Sequence, residues 1–174
     1  GGAAQRSVFL SWDVGVLSEI LPELASFLDD ELQGASLTFG RLKAVDALAA
    51  EDRLPGDAVL LAALLLGPVD EALEGVSDVP VAYEEFVREL SLRLSLPRRL
   101  KDRIRLLIMA QRRLRTGRIQ SIARREYFAD AATLFALDRM ARGEELPSWA
   151  NEPTDAVYDE EPRSRRRRRR RPRN

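Results

Sequence analysis

Histidine and cysteine are both absent from the 174 residues, and aromatic side chains make up only 6% of them. Without cysteine there are no disulfides and no thiolate metal ligands, which fits a reducing, cytoplasmic setting. Without histidine the chain loses the commonest general base, the commonest metal ligand and any Ser-His or Cys-His nucleophile pair. The longest apolar run, AVLLAALLLG at 58–67, is too short to span a bilayer, so no membrane partner is expected. There is no Walker-type phosphate loop and no GxGxxG after a strand. Carboxylates are plentiful, but Asp29-Asp30, Glu84-Glu85 and Glu144-Glu145 are sequence neighbours. On a helix, neighbours diverge by roughly 100° and do not converge on one atom, so they read as solvated faces and loop caps. No catalytic residue, metal site or cofactor site is expected in this chain. The opening GGAAQRSV has no charged segment leading into an apolar one and no initiator Met, which reads as a piece excised from something longer.

Net charge is also missing: 28 basic residues balance 28 acidic ones. The balance hides four blocks. Residues 1–97 carry net −11, residues 98–125 net +10, residues 126–162 net −8 and residues 163–174 net +9. Alternation on that scale points to an anionic partner more than a zero total points away from one.

The remaining pattern is helical throughout, with no convincing strand. The spacing predicts six helices, over 13–32, 36–52, 55–74, 81–96, 98–117 and 124–143. Asp13 is placed to cap the first, and Pro22 to kink or split it near Leu21. Gly67-Pro68 is expected to break or kink the third, which is apolar almost all round and belongs at the centre of the core. On the sixth, Phe128, Ala131, Leu134, Phe135 and Leu137 or Asp138 span the buried edge. The fold class is therefore all-α, a compact bundle of about six helices over 11–149. An acidic linker follows, then an arginine-rich C-terminal tail over 150–174 that is expected to be disordered.

The fifth helix is the informative one. Leu100, Ile104, Leu107, Ile108, Gln111 and Leu114 form one stripe, and Gly117 suits the C-terminal cap. Arg98, Lys101, Arg105 and Arg112 line one flank of that stripe, with Arg99 and Arg103 on the other. Block 98–125 holds eleven basic residues against one acid, Asp102. A solvated helix face is the bland explanation, and neutralisation by the acidic segments is another. Like charges one turn apart oppose the helix by about 0.2–0.5 kcal/mol per pair, which favours a surface for phosphates. Arginine outnumbers lysine ten to one there, and its planar fork suits phosphate oxygens and base stacking. The candidate RNA contacts are Arg98, Arg99, Lys101, Arg105, Arg112, Arg113, Arg115, Arg118, Arg124 and Arg125. Tyr127 is the exposed aromatic that could stack on a base. The tail adds Arg165, Arg166, Arg167, Arg168, Arg169, Arg170 and Arg171, a grip on any polyanion without sequence preference. A localisation signal, or a clamp on the acidic YDEEP at 158–162, would account for the tail equally well.

The stretches PGDAVLLAALLLGPV (55–69), LSLPRRLKDRIRLLIMAQRRL (94–114) and RREYFADAATLFAL (124–137), followed by the arginine-rich tail, resemble the C-terminal half of bacterial poly(A) polymerases. These belong to the class II polymerase and tRNA nucleotidyltransferase superfamily. SWDVGVLSEILPEL (11–24) resembles that family's helical body just past its head and neck. The resemblance implies an all-helical RNA-binding body whose catalytic head, with its Gly-Ser loop, paired aspartates, Mg2+ and ATP, is not in this chain. No D-x-D occurs here, and the only similar loop, GAS at 34–36, precedes no acid pair. The implied partners are single-stranded RNA 3′ ends, tRNA and other RNA-processing proteins. The body of a tRNA CCA-adding enzyme and a non-enzymatic helical module with a polyanion-binding tail stand as alternatives.

Overall fold

The computed structural model describes residues 3–30 and 32–151, and among them there is no strand. The helices are α1 (Ala4–Asp13), α2 (Val16–Ile20), α3 (Pro22–Asp30), α4 (Leu32–Ala50), α5 (Asp57–Ala72), α6 (Val79–Arg93), α7 (Arg98–Arg115), α8 (Phe128–Ala141) and α9 (Ser148–Asn151). A single 3₁₀ turn, Ile119–Ser121, lies between α7 and α8. The arginine tail and YDEEP lie outside the described residues.

Four helices make the centre. α4 packs on α8, α8 on α7, α7 on α5 and α5 on α4, and α5 also touches α8 across the ring. α1, α2 and α3 cover the α4 side, and α6 lies on α5. α5 sits where its composition requires: Val59, Ala62, Ala63, Leu65, Leu66, Pro68 and Val69 are all buried. On α7 the expected stripe faces inward, with Ile104, Leu107, Ile108, Gln111 and Leu114 buried and Leu100 half-buried. Gln111 uses its burial to join two helices, donating to Leu107 O at 3.0 Å and to Ala131 O on α8 at 3.1 Å. Leu137 and Asp138 are both buried.

The N-terminal region differs from the sequence expectation. The single helix expected over 13–32 is three, and Asp13 is not an N-cap but the last residue of α1. Gly15, at φ 77°, reverses the chain, and Pro22 begins α3 with the φ that a first helical position needs. α1 itself was not expected. Its orphan amides are satisfied from across the fold: Asp46 of α4 accepts from Ala4 N at 2.8 Å and Gln5 N at 3.1 Å. A cap supplied forty residues away leaves no local signature.

Gly67-Pro68 does not break α5, which runs through it, and Gly67 is a docking point. A Cβ at Gly67 would come within 2.6 Å of the Phe27 ring and 3.4 Å of Arg41 Nη2, so only glycine admits both. Close approach recurs at Gly40, where a Cβ would meet Ala141 Cβ at 2.9 Å and draw α4 and α8 apart. The sixth helix starts at Phe128, not 124, leaving Arg124, Arg125 and Tyr127 on the turn before it.

Candidate nucleic-acid interface

The C-terminal end of α7 is fixed by a backbone closure at Gly117. Gly117 N bonds Leu114 O at 3.1 Å and Arg118 N bonds Arg113 O at 2.8 Å, with Gly117 at φ 71°. The closure ends the helix, and the buried stripe of Ile104, Leu107, Ile108 and Leu114 sets its rotation and with it the direction of each arginine. The outward arc carries Arg98, Asp102, Arg105, Arg112 and Arg113, all exposed. Arg99 is exposed at its edge, as are Arg118, Arg124 and Arg125 beyond it. Lys101 is half-buried against α6.

Block 98–125 divides into paired and unpaired cations. Arg98 lies 3.8 Å from Asp102 and Arg105 3.8 Å from Glu84, both loose surface pairs. Arg103 holds Asp130 at 2.9 Å and Glu126 at 3.5 Å. The side chains of Arg99, Lys101, Arg112, Arg113, Arg118 and Arg125 meet no carboxylate among the described residues. Of the unpaired set, Arg99, Arg112, Arg113, Arg118 and Arg125 face water along the outer arc, its edge and the turn beyond it, and Lys101 is half-buried.

Arg115 is exposed but already paired, 2.8 Å from Asp70 and 3.4 Å from Asp138, and braces the buried Asp138 from the surface. Asp138 is the hub of that cluster. Its Oδ1 accepts from Arg41 Nη1 at 2.8 Å, and its Oδ2 from Arg142 Nε at 3.1 Å and from Arg115. Arg41 is 1% exposed, and also donates to Ala63 O at 2.9 Å and Thr38 Oγ1 at 3.2 Å. Burial favours the neutral form of Asp138, but Arg41, Arg142 and Arg115 together outweigh it and hold the carboxyl below its ordinary range. Burial lowers the Arg41 guanidinium in turn, opposed by Asp138. This cluster was not anticipated from the sequence. Its only signal was an arginine in the apolar pattern of 36–52 and an aspartate on the buried edge of the last long helix.

Tyr127 is also corrected. It is half-buried and packs on the core, so only part of its ring is open to a base. Its neighbours Phe128 and Phe135 pack around Trp149, with ring centroids 6.2 and 5.2 Å from it. Among the described residues no acidic cluster could hold a metal ion, and no helix is long and apolar enough to cross a membrane. No protein-family model matches the sequence, and neither a curated protein nor a solved structure does.

Proposed function

We propose that the chain is an RNA-binding helical module, with the outer arc of α7 and the turn after it as its contact surface and the arginine tail as a second, less selective grip. The observation that carries this reading is the set of six cations, Arg99, Lys101, Arg112, Arg113, Arg118 and Arg125, without a carboxylate partner among the described residues. Six such contacts on single-stranded RNA would give a salt slope of about −4, affinity that needs no base reading. The resemblance adds a setting, the cytoplasmic C-terminal portion of a poly(A) polymerase that adds AMP to RNA 3′ ends through a head elsewhere. In that setting the module holds the strand, and the tail raises the local concentration of a growing end.

A non-enzymatic interaction module is the second reading, and two observations favour it. Four of the basic residues are paired internally, so part of the block is neutralised. Phe9, Leu10, Val14, Val16 and Ile20 are exposed on α1, α2 and the turn between them, an apolar surface suited to a protein partner.

The deciding experiment is anisotropy with labelled oligoadenylate and tRNA across a salt series, on the intact chain, a chain ending at Pro162, and the intact chain carrying Arg112→Glu and Arg113→Glu. The proposal expects the shortened chain to keep salt-dependent binding and the reversals to weaken it. If the shortened chain binds neither RNA at low salt, the helical body is a scaffold and only the tail grips polyanions.

A further inference from the structure

Five of the eleven large apolar side chains exposed among the described residues fall within residues 9–20: Phe9, Leu10, Val14, Val16 and Ile20. A single exposed apolar residue is ordinary, but a gathered set is not. α1 carries the centre of it. Its inner face, Ala4, Val8 and Trp12, packs on the core, and Phe9 and Leu10 are left to the outer side, 45% and 47% exposed. The helix is not a loose end that failed to find the core. Asp46 caps its first amides from α4, and Trp12 Nε1 donates to Asp29 Oδ1 of α3 at 2.8 Å. Phe9 is steadied along one edge by Trp12 and Phe39, with ring centroids 6.0 and 5.8 Å away. The fold thus holds an apolar ridge in place and leaves it open.

The charges on that ridge narrow down what fits it. Arg6, Phe9, Leu10 and Asp13 follow at i, i+3, i+4 and i+7, which is one stripe of a helix. A cation opens the stripe, two apolar residues fill its middle and an acid closes it. Arg6 and Asp13 are both exposed, and neither meets an opposite charge among the described residues. About 10 Å of helix rise keeps them from pairing with each other. Laid antiparallel on a second copy, about the midpoint between Phe9 and Leu10, the stripe sets Arg6 against Asp13 twice and Phe9 against Leu10 twice. Laid parallel, it sets like charge on like. A two-fold contact is therefore the closed arrangement that this order of residues favours, and opposed helix dipoles add to it. The zero net charge of the chain leaves no overall repulsion between copies.

We propose that the outer stripe of α1 is the contact through which two copies of this chain pair about a two-fold axis. Phe9 and Leu10 of each copy supply the buried centre, Val14 extends it, and the two Arg6–Asp13 pairs form its rim. A contact built on one short helix from each copy belongs to the small, readily exchanging class. α1 covers the α4 side of the central ring, and α7 lies across the ring from α4. Pairing therefore leaves the basic arc of each copy uncovered. The inference goes beyond the RNA-binding reading and does not rest on it.

The test is sedimentation equilibrium of the intact chain over a wide concentration series at moderate salt, with thermal melts to show that each variant folds. A reversible monomer–dimer equilibrium is expected, and a chain ending at Pro162 should show the same one. Leu10→Asp should weaken it about a hundredfold, because each dimer loses two apolar contacts and gains two buried charges. Leu92→Asp, on α6 and 76% exposed, should leave it unchanged. Arg6→Glu and Asp13→Arg should each weaken pairing about tenfold, since every dimer then holds two like-charge contacts. Combined in one chain, the two reversals should restore it. A double variant as weak as the sum of its parts overturns the antiparallel contact, because the copies then meet in another orientation. Open-ended association overturns it as well, as does a dimer that survives Leu10→Asp or is lost with the tail. A chain that stays monomeric throughout overturns it too, and leaves the ridge to a different protein.

Discussion

Arg115 reaches Asp70 at 2.8 Å and Asp138 at 3.4 Å, while Arg112, one turn earlier on α7, meets no carboxylate among the described residues. The two residues belong to one helix and one basic block, yet they do opposite work. In the inner set, Arg41 and Asp138 have given up water and must be matched group for group, while Arg115 and Arg142 reach Asp138 from partly exposed positions. The outer set keeps its water, contributes little to folding and remains available to a partner. Removing one member of a buried pair strands the other, whereas an exposed arginine can be lost with little effect on the fold.

The sharpest way to break the comparison is at its hub. Asp138→Ala should cost about 3–5 kcal/mol in urea unfolding, because Arg41 is left charged and unmatched in the core. Arg41→Met with Asp138→Leu should recover most of that loss; if it does not, the cluster is not an electrostatic one. Acid should act on the same point. The Asp138 carboxyl takes up its proton at the ordinary carboxylate range when unfolded and lower when folded. Its contribution is therefore fully present above that range and disappears as pH falls through the folded value. Asp138→Asn should flatten that part of the acid limb in a melting series.

Gly40→Ala tests the frame that brings the inner set together. Alanine would ordinarily favour a helix, but the 2.9 Å approach to Ala141 Cβ should make it cost about 1–3 kcal/mol. A stabilised variant would show that α4 and α8 do not need their close contact. Arg115→Gln should cost about 1 kcal/mol, reduced because the side chain is one-third exposed. Arg112→Gln with Arg113→Gln should change stability by less than about 0.5 kcal/mol. The same pair should flatten the RNA salt slope by about 1.4, the share of two phosphates. Equal stability losses at Arg115 and Arg112 would erase the distinction between the two sets.

Much of this body was legible in the chain. The inward stripe of α7 follows from helical spacing, and the closing glycines at 117 and 143 adopt the left-handed conformation at φ 71° and 68°. Two other helix ends use the same turn without glycine, at Asp52 (φ 59°) and Ser95 (φ 48°), which composition does not announce. Less of the candidate site could be read. Periodicity placed Arg98, Arg105 and Arg112 outward correctly, but it could not see Arg115 turning toward Asp70, or Tyr127 settling against the core.

The sequence by itself determined an all-helical body, because hydrophobic spacing and terminal residues act within a turn or two of the chain. It also determined that the positive charge gathers in one helix and one tail. Only the tertiary structure decided which arginines remain exposed. A helix's own pattern fixes angles about its axis, but the counter-charge comes from whatever lies across the interface. Asp138 meets Arg41 over a separation of 97 residues. That distance in sequence closes only when α4 and α8 are pressed together at Gly40.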